Sequence, residues 1–88
     1  MNAQRRKSIQ QVIDILYKAQ DIISEANWEI DSIKDEEQEA YDNLPENLQY
    51  SEKGEKMEEA IDNLDNAHEN NLEDDIQDII DYLESAME

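Results

Sequence analysis

The sequence has no cysteine and no phenylalanine, and it has one glycine, one proline and one tryptophan in 88 residues. Without cysteine there is neither a disulfide nor a thiolate metal site to reinforce a small core. One glycine and one proline supply too few turns for a fold of many short strands. No apolar run approaches the ~20 residues of a membrane span. Arg5-Arg6-Lys7 leads into an amphipathic stretch and not an apolar one, so no signal peptide and no membrane partner are expected, and the expected address is cytoplasmic. Basic residues are also scarce, with 7 Lys and Arg against 25 Asp and Glu, for a net charge of -18. Such a chain repels nucleic acid and acidic membranes and attracts basic proteins, with rates that depend on salt.

What remains is rich in Glu, Asp, Ile, Leu, Ala and Gln, most of which lose little side-chain freedom in a helix. A charge excess of this size favours disorder in a chain of low hydrophobicity, but the apolar residues here are periodic, which points to a folded helix. One seven-residue series is Ile9, Leu16, Ile23, Ile30 and Leu44, interrupted by Glu37. The other is Val12, Ala19, Ala26, Ile33 and Ala40. Together they predict an a/d seam on a first helix over about residues 6–42, roughly 55 Å long. Ile13, Ile15 and Ile22 widen its apolar face.

Asn43-Leu44-Pro45-Glu46 ends that helix, because proline disfavours helical dihedrals at the residue before it. Proline also suits the start of a new turn, so Pro45 to Gln49 is expected to form a short helical corner in a connection of about residues 43–51. Ser51 is the expected N-cap of a second helix over about residues 52–86, with Glu52 and Glu55 in its first turn. Its apolar series runs Met57, Ile61, Leu64, His68, Leu72, Ile76, Ile79, Leu83 and Met87. That spacing is nearer 3.7 than 3.5 residues, so the stripe is expected to drift around the helix. An antiparallel fold brings Arg5, Arg6 and Lys7 to Asp78, Asp81, Glu84 and Glu88, and places Glu37 level with Lys56 and Met57, where Lys56 is expected to neutralise it. The predicted architecture is all-α: one domain, residues 1–88, forming an antiparallel two-helix hairpin of coiled-coil type. Two helices alone bury little, so association into a homo-oligomeric helical bundle is expected.

The candidate functional surface is acidic. Glu55, Glu59, Asp62, Glu69 and Glu73 are expected opposite the core of the second helix, continued by Asp74, Asp78, Asp81 and Glu88. Asp14, Asp21, Glu25, Asp35 and Glu39 are expected on the outer face of the first. A net charge of -18 along the expected ~50–55 Å is roughly one charge per 3 Å, somewhat over half the density of duplex DNA. Carboxylates so arranged offer a phosphate-like ladder to a basic groove; otherwise they are a solvated face that serves solubility. Trp28 and Tyr17 point away from the seam among acids, as interface anchors would or as packing against a second hairpin.

Two metal readings are weaker. Asp65-Asn66-Ala67-His68 has the carboxylate-to-histidine spacing of di-iron bundles, but with Asp in place of Glu and with Glu25 and Glu29 off the seam. Asp35 to Glu46 has the length of a calcium loop but carries Ala40 where a glycine is needed. Nothing resembles a nucleophile with its base or a phosphate-cradling loop, so no catalysis, cofactor or metal is expected.

The stretch Asp35 to Asp65 resembles a family of small acidic helical proteins encoded by bacteria and their phages. The specific part is Asn43-Leu44-Pro45-Glu46 followed by Ser51-Glu52-Lys53-Gly54-Glu55. The resemblance implies a helical hairpin of phage or prophage origin and assigns no functional residue. By analogy with small acidic phage proteins it implies an inhibitor of host defence, of the DNA-mimic type that blocks restriction or CRISPR effectors. The partner so implied is a basic, nucleic-acid-binding protein surface, with no direct binding of nucleic acid. A self-assembling structural coiled coil is the alternative, and a carboxylate–histidine metal bundle the third reading.

Overall fold

The first helix starts earlier than expected because Asn2 caps it: the Arg5 amide donates to Asn2 Oδ1 at 2.8 Å, satisfying one of the open donors of the first turn. The computed structural model describes residues 1–88. In it α1 (Ala3–Asp42) is unbroken. Its end is closed by Gln49, whose Nε2 donates to the carbonyls of Tyr41 and Leu44 at 3.3 Å each. Pro45 then precedes α2 (Glu46–Gln49), the short corner its ring favours. Ser51 is extended, with φ -83° and ψ 171°, and its Oγ accepts from the Gly54 amide at 3.4 Å, capping α3 (Glu52–His68). A fourth helix, α4 (Leu72–Ala86), completes the chain.

The expected second helix is therefore two helices. Ile61 and Ile80 are both buried, yet they lie nineteen residues apart. Eighteen residues make five whole turns, so in one straight helix these side chains would point about 100° apart. The apolar stripe does not drift to absorb that extra residue. The helix breaks at residues 69–71, and α4 restarts in a new phase. Asn70 suits the break, since asparagine bonds readily to nearby backbone outside a helix. Its Nδ2 donates to the Ala67 carbonyl at 3.0 Å, occupying an open acceptor at the end of α3.

The fold is all-α. It divides into two compact units, 1–25 with 71–88 and 26–70, with α1 contributing to both. In the first unit α1 runs antiparallel to α4. Arg6 Nε donates to the Met87 carbonyl at 2.9 Å, and Gln20 Nε2 to the Glu73 carbonyl at 3.0 Å and to Gln77 at 3.2 Å. Thus a basic residue does reach the negative end of the returning helix, but through a backbone carbonyl and not a carboxylate. In the second unit α1 runs antiparallel to α3, with Asn27 against Asn70, Lys34 against Asp65 and Tyr41 against Glu58. Each unit is thus a helical hairpin pairing of α1 with the returning arm.

Only half of the expected seam on α1 faces the returning arm. Ile9, Leu16, Ile23, Ile30, Glu37 and Leu44 are half-buried, as the first series requires. Val12, Ala26, Ile33 and Ala40 of the second series are exposed. In their place the row one residue on, Ile13, Gln20, Asn27, Lys34 and Tyr41, turns inward. Steps of three and of four are both helical neighbours, and here the polar row wins because each of its last four members finds a hydrogen-bonding partner across the hairpin. These bonds fix the register, and the buried apolar core is accordingly small: Ile13 and Ile80 in the first unit, Ile61 in the second.

Candidate functional site

The inward turn of the polar row decides where every other side chain on α1 goes. At about 100° per residue, Tyr17, Asp14 and Asp21 lie on the flank beyond Ile13 and Gln20. Val12, Ala19, Ile15 and Ile22 lie on the opposite flank. On α4, with Ile80 facing α1, Gln77, Glu84, Asp74 and Asp81 fall on one side and Ile76, Leu83, Ile79 and Leu72 on the other. The bonds Gln20–Gln77 and Tyr17–Glu84 join the polar flanks of the two helices. The first unit therefore has an acidic face and a mainly apolar flank, on which Asp75 lies between Leu72 and Ile79.

The second unit repeats the acidic side. Trp28, Asp31, Asp35 and Asp42 lie on the flank of α1 that Tyr41 joins to Glu58 of α3, and Glu55, Glu59 and Asp62 continue it on α3. An open pocket of about 240 Å³ is lined there by Gln38, Tyr41, Glu58, Ile61 and Asp62. The other flank is mixed. Glu37, Glu52, Lys53, Lys56, Met57 and Ala60 line an open pocket of about 560 Å³. Lys56 does not neutralise Glu37: its ion pair is with Glu52, one turn back on the same helix, at 3.3 Å. The i, i+4 pairing within α3 needs no cross-helix reach.

Asp21, Glu25, Asp35, Glu55, Glu59, Asp62, Glu69, Asp74, Asp78 and Asp81 are all exposed. Glu73 departs from expectation. It is half-buried and its carbonyl accepts from Gln20, because the restart of α4 rotates it from the outer face onto the side facing α1. Three acidic-face carboxylates are oriented by glutamines one turn earlier: Gln10 to Asp14 at 3.0 Å, Gln38 to Asp42 at 3.0 Å and Gln77 to Asp81 at 2.9 Å. Such bonds favour one rotamer of an otherwise mobile group.

Trp28 is 73% exposed. Tyr17 is held across the hairpin by a 3.4 Å bond to Glu84, whose negative charge, with desolvation and the bond itself, raises the phenol above its ordinary pKa. Tyr82 was not expected here. It is exposed and shares an open pocket with Asp78, Asp81 and Ser85 on α4. Its place in a run of acids, Asp78, Asp81 and Glu84, is the signal that marks it.

The seam holds the remaining perturbed groups. Lys34 Nζ lies 2.7 Å from Asp65, and that hydrogen bond raises the lysine pKa. The bond to Glu58 pushes the Tyr41 phenol up to about 12, with desolvation second. The Asp65 carboxylate of the di-iron-like spacing is thus engaged by Lys34, while His68 is half-buried as the last residue of α3. α1 runs helically through Asp42 where a calcium loop would have to turn. No group of three or more His, Asp or Glu side chains is placed to hold a metal ion, and no helix is long and apolar enough to cross a membrane. No family model matches the chain, and no curated protein or solved structure is significantly similar to it.

Proposed function

We propose that this chain is an acidic binding and inhibitor protein that occupies a basic, nucleic-acid-binding surface of a partner protein. The observation that carries the reading is the continuous run of exposed carboxylates along one flank within each unit, with Trp28 among those of the second. Three of those carboxylates are held by glutamine side chains. Rigid acids meet a Lys/Arg groove at less entropic cost than free ones, and an exposed aromatic among them supplies the apolar anchor that pure charge lacks. Fields of this kind raise association rates and are screened by salt. The class of inhibitor is DNA-mimic-like, of the anti-CRISPR or anti-restriction type; that part rests on the resemblance over Asp35–Asp65 and on its phage analogy. The chain itself binds neither nucleic acid nor membrane in this account.

The alternative, a coiled coil assembling through its apolar seam, loses support at that seam: Ile30 and its series are already engaged inside the hairpin. The test is capture from nuclease-treated bacterial lysate at about 50 mM and about 500 mM salt. The expected result is recovery of nucleic-acid-binding proteins at low salt that are released at high salt and lost with the combined charge reversals Asp35→Lys, Asp62→Lys and Glu59→Lys. Salt-resistant capture, indifferent to those reversals, refutes the reading.

A further inference from the structure

We propose that the open pocket between α1 and α3 in the second unit receives an arginine side chain of a partner protein. Gln38 and Tyr41 of α1 and Glu58, Ile61 and Asp62 of α3 line it. Its volume of about 240 Å³ equals about eight waters at ~30 Å³ each, room for one long side chain. What selects the occupant is that the lining has spent its donors. The Tyr41 hydroxyl donates to Glu58 Oε1, and Gln38 Nε2 donates to Asp42 Oδ1 at 3.0 Å. Ile61 has no polar side-chain atom, and the backbone amides at these positions are committed to their own helices. The oxygens that remain are Glu58 Oε2, Gln38 Oε1 and both of Asp62, which is exposed and bonds to no other residue.

A wall of acceptors that includes two carboxylates is completed by a cation that carries donors alone. Among side chains, guanidinium and ammonium are the permanent cations of that kind. Three features favour guanidinium. Its planar fork reaches oxygens of two residues at once, whereas ammonium is a compact and strongly hydrated point charge. The half-buried Tyr41 ring supplies an aromatic surface, to which guanidinium is the better matched of the two. Ile61, 9% exposed, forms an apolar floor for the aliphatic stem. No basic residue lines the pocket to compete for the carboxylates, and Lys34, one turn before Gln38, is held by Asp65 at 2.7 Å. Exposed Asp35, Asp42 and Glu55 on the same flank keep the surrounding field negative.

That the arginine belongs to a nucleic-acid-binding groove rests on the function proposed above; the pocket's preference for arginine does not. The experiment is titration of the isotope-labelled full chain with Nα-acetyl-arginine methylamide and with the corresponding lysine compound, at constant ionic strength. Nuclear magnetic resonance follows the Gln38 side-chain amide, the Tyr41 ring and the Asp62 amide. The expected result is saturable shifts at all three with the arginine compound, and binding at least ~threefold weaker with the lysine compound. Asp62→Asn is expected to weaken arginine binding ~tenfold, with undiminished helical circular dichroism because Asp62 is exposed. Glu55→Gln makes the same change of charge on the same flank outside the lining, and is expected to alter binding by less than about twofold. No saturable shift, lysine bound as tightly as arginine, or equal losses in Asp62→Asn and Glu55→Gln overturns the proposal. The two readings fail separately. Arginine bound here while lysate capture recovers no nucleic-acid-binding protein sustains the pocket and removes its proposed source; capture without arginine binding overturns the pocket alone.

Discussion

Gly54 is the position where a single methyl group tests the packing of the corner against α3. It is buried in the first turn of α3, and a Cβ there would lie 2.1 Å from the Gln49 carbonyl oxygen, 2.5 Å from its carbon and 2.7 Å from the Leu48 oxygen. Carbon and oxygen atoms pack without strain at about 3.5 Å, so the α2 backbone must retreat by more than about 1 Å. It cannot do so freely. Leu48 and Gln49 amides bond to the Pro45 carbonyl at 2.8 and 3.2 Å, and the Gln49 side chain holds the end of α1. Overpacking of this kind costs about 1–3 kcal/mol, and the loss of the Gln49 bonds adds about 0.5–1.5 kcal/mol each. Alanine's better helix propensity returns at most about 1 kcal/mol. Gly54→Ala is therefore expected to destabilise the chain by about 1–6 kcal/mol, which at about 4–8 °C per kcal/mol is a large fall in Tm. Thermal unfolding followed by far-ultraviolet circular dichroism measures it. Asn66→Ala, exposed on the same helix, is the control and is expected to raise Tm slightly. A Gly54→Ala variant as stable as the parent refutes the close approach of α2 to α3.

Glu37 is half-buried in the seam beside Met57 without Lys56 as a partner, so Glu37→Leu is expected to stabilise the chain by about 1 kcal/mol; an unchanged or lower Tm argues against it. Tyr41 has a folded pKa raised to about 12, so its contribution to stability is complete below the ordinary tyrosine value and is lost as pH rises through about 12. Alkaline titration of phenolate absorbance is expected to show that late phase, and Tyr41→Phe to lack it. Lys34, also raised, loses its contribution in the same direction, above the ordinary lysine range; Asp65→Asn is expected to make unfolding begin at lower alkaline pH, and an unshifted onset counts against the pair. Deleting Asn71 would put Ile61 and Ile80 eighteen residues apart, in phase on one continuous helix. The expected product is folded with undiminished helical dichroism, and loss of helicity would show that the break does more than reset phase.

Much of the scaffold was legible because its causes are local. Pro45 and Ser51 fixed the corner and the start of α3 through backbone sterics and one capping bond, and the Ile9–Ile30 series announced a helical face. The inward face of α1 was not legible in full, since Gln20, Asn27, Lys34 and Tyr41 are polar until their partners, 17 to 57 residues away, are known. With that row inward, Val12 and Ile33 turn out, and Val12 joins the apolar flank of the first unit. The break at residues 69–71 was written in the nineteen-residue spacing of Ile61 and Ile80, but only burial identifies those two isoleucines as the ones that must align. Glu73 moved for the same reason. The exposure of Trp28 and of the remaining acidic positions followed from their distance to the Ile9 row, which the choice between the two neighbouring rows leaves nearly unchanged.

On the proposed function, the acidic flanks compete with nucleic acid for a basic surface. The most direct measurement is displacement: partner captured from lysate on the immobilised chain is challenged with duplex DNA at fixed low salt, for the parent and for Asp35→Lys, Asp62→Lys, Glu59→Lys. DNA is expected to release the partner from the parent chain, and the reversed chain to capture none. A partner that binds the chain and DNA together, or that the reversed chain captures equally well, contradicts it.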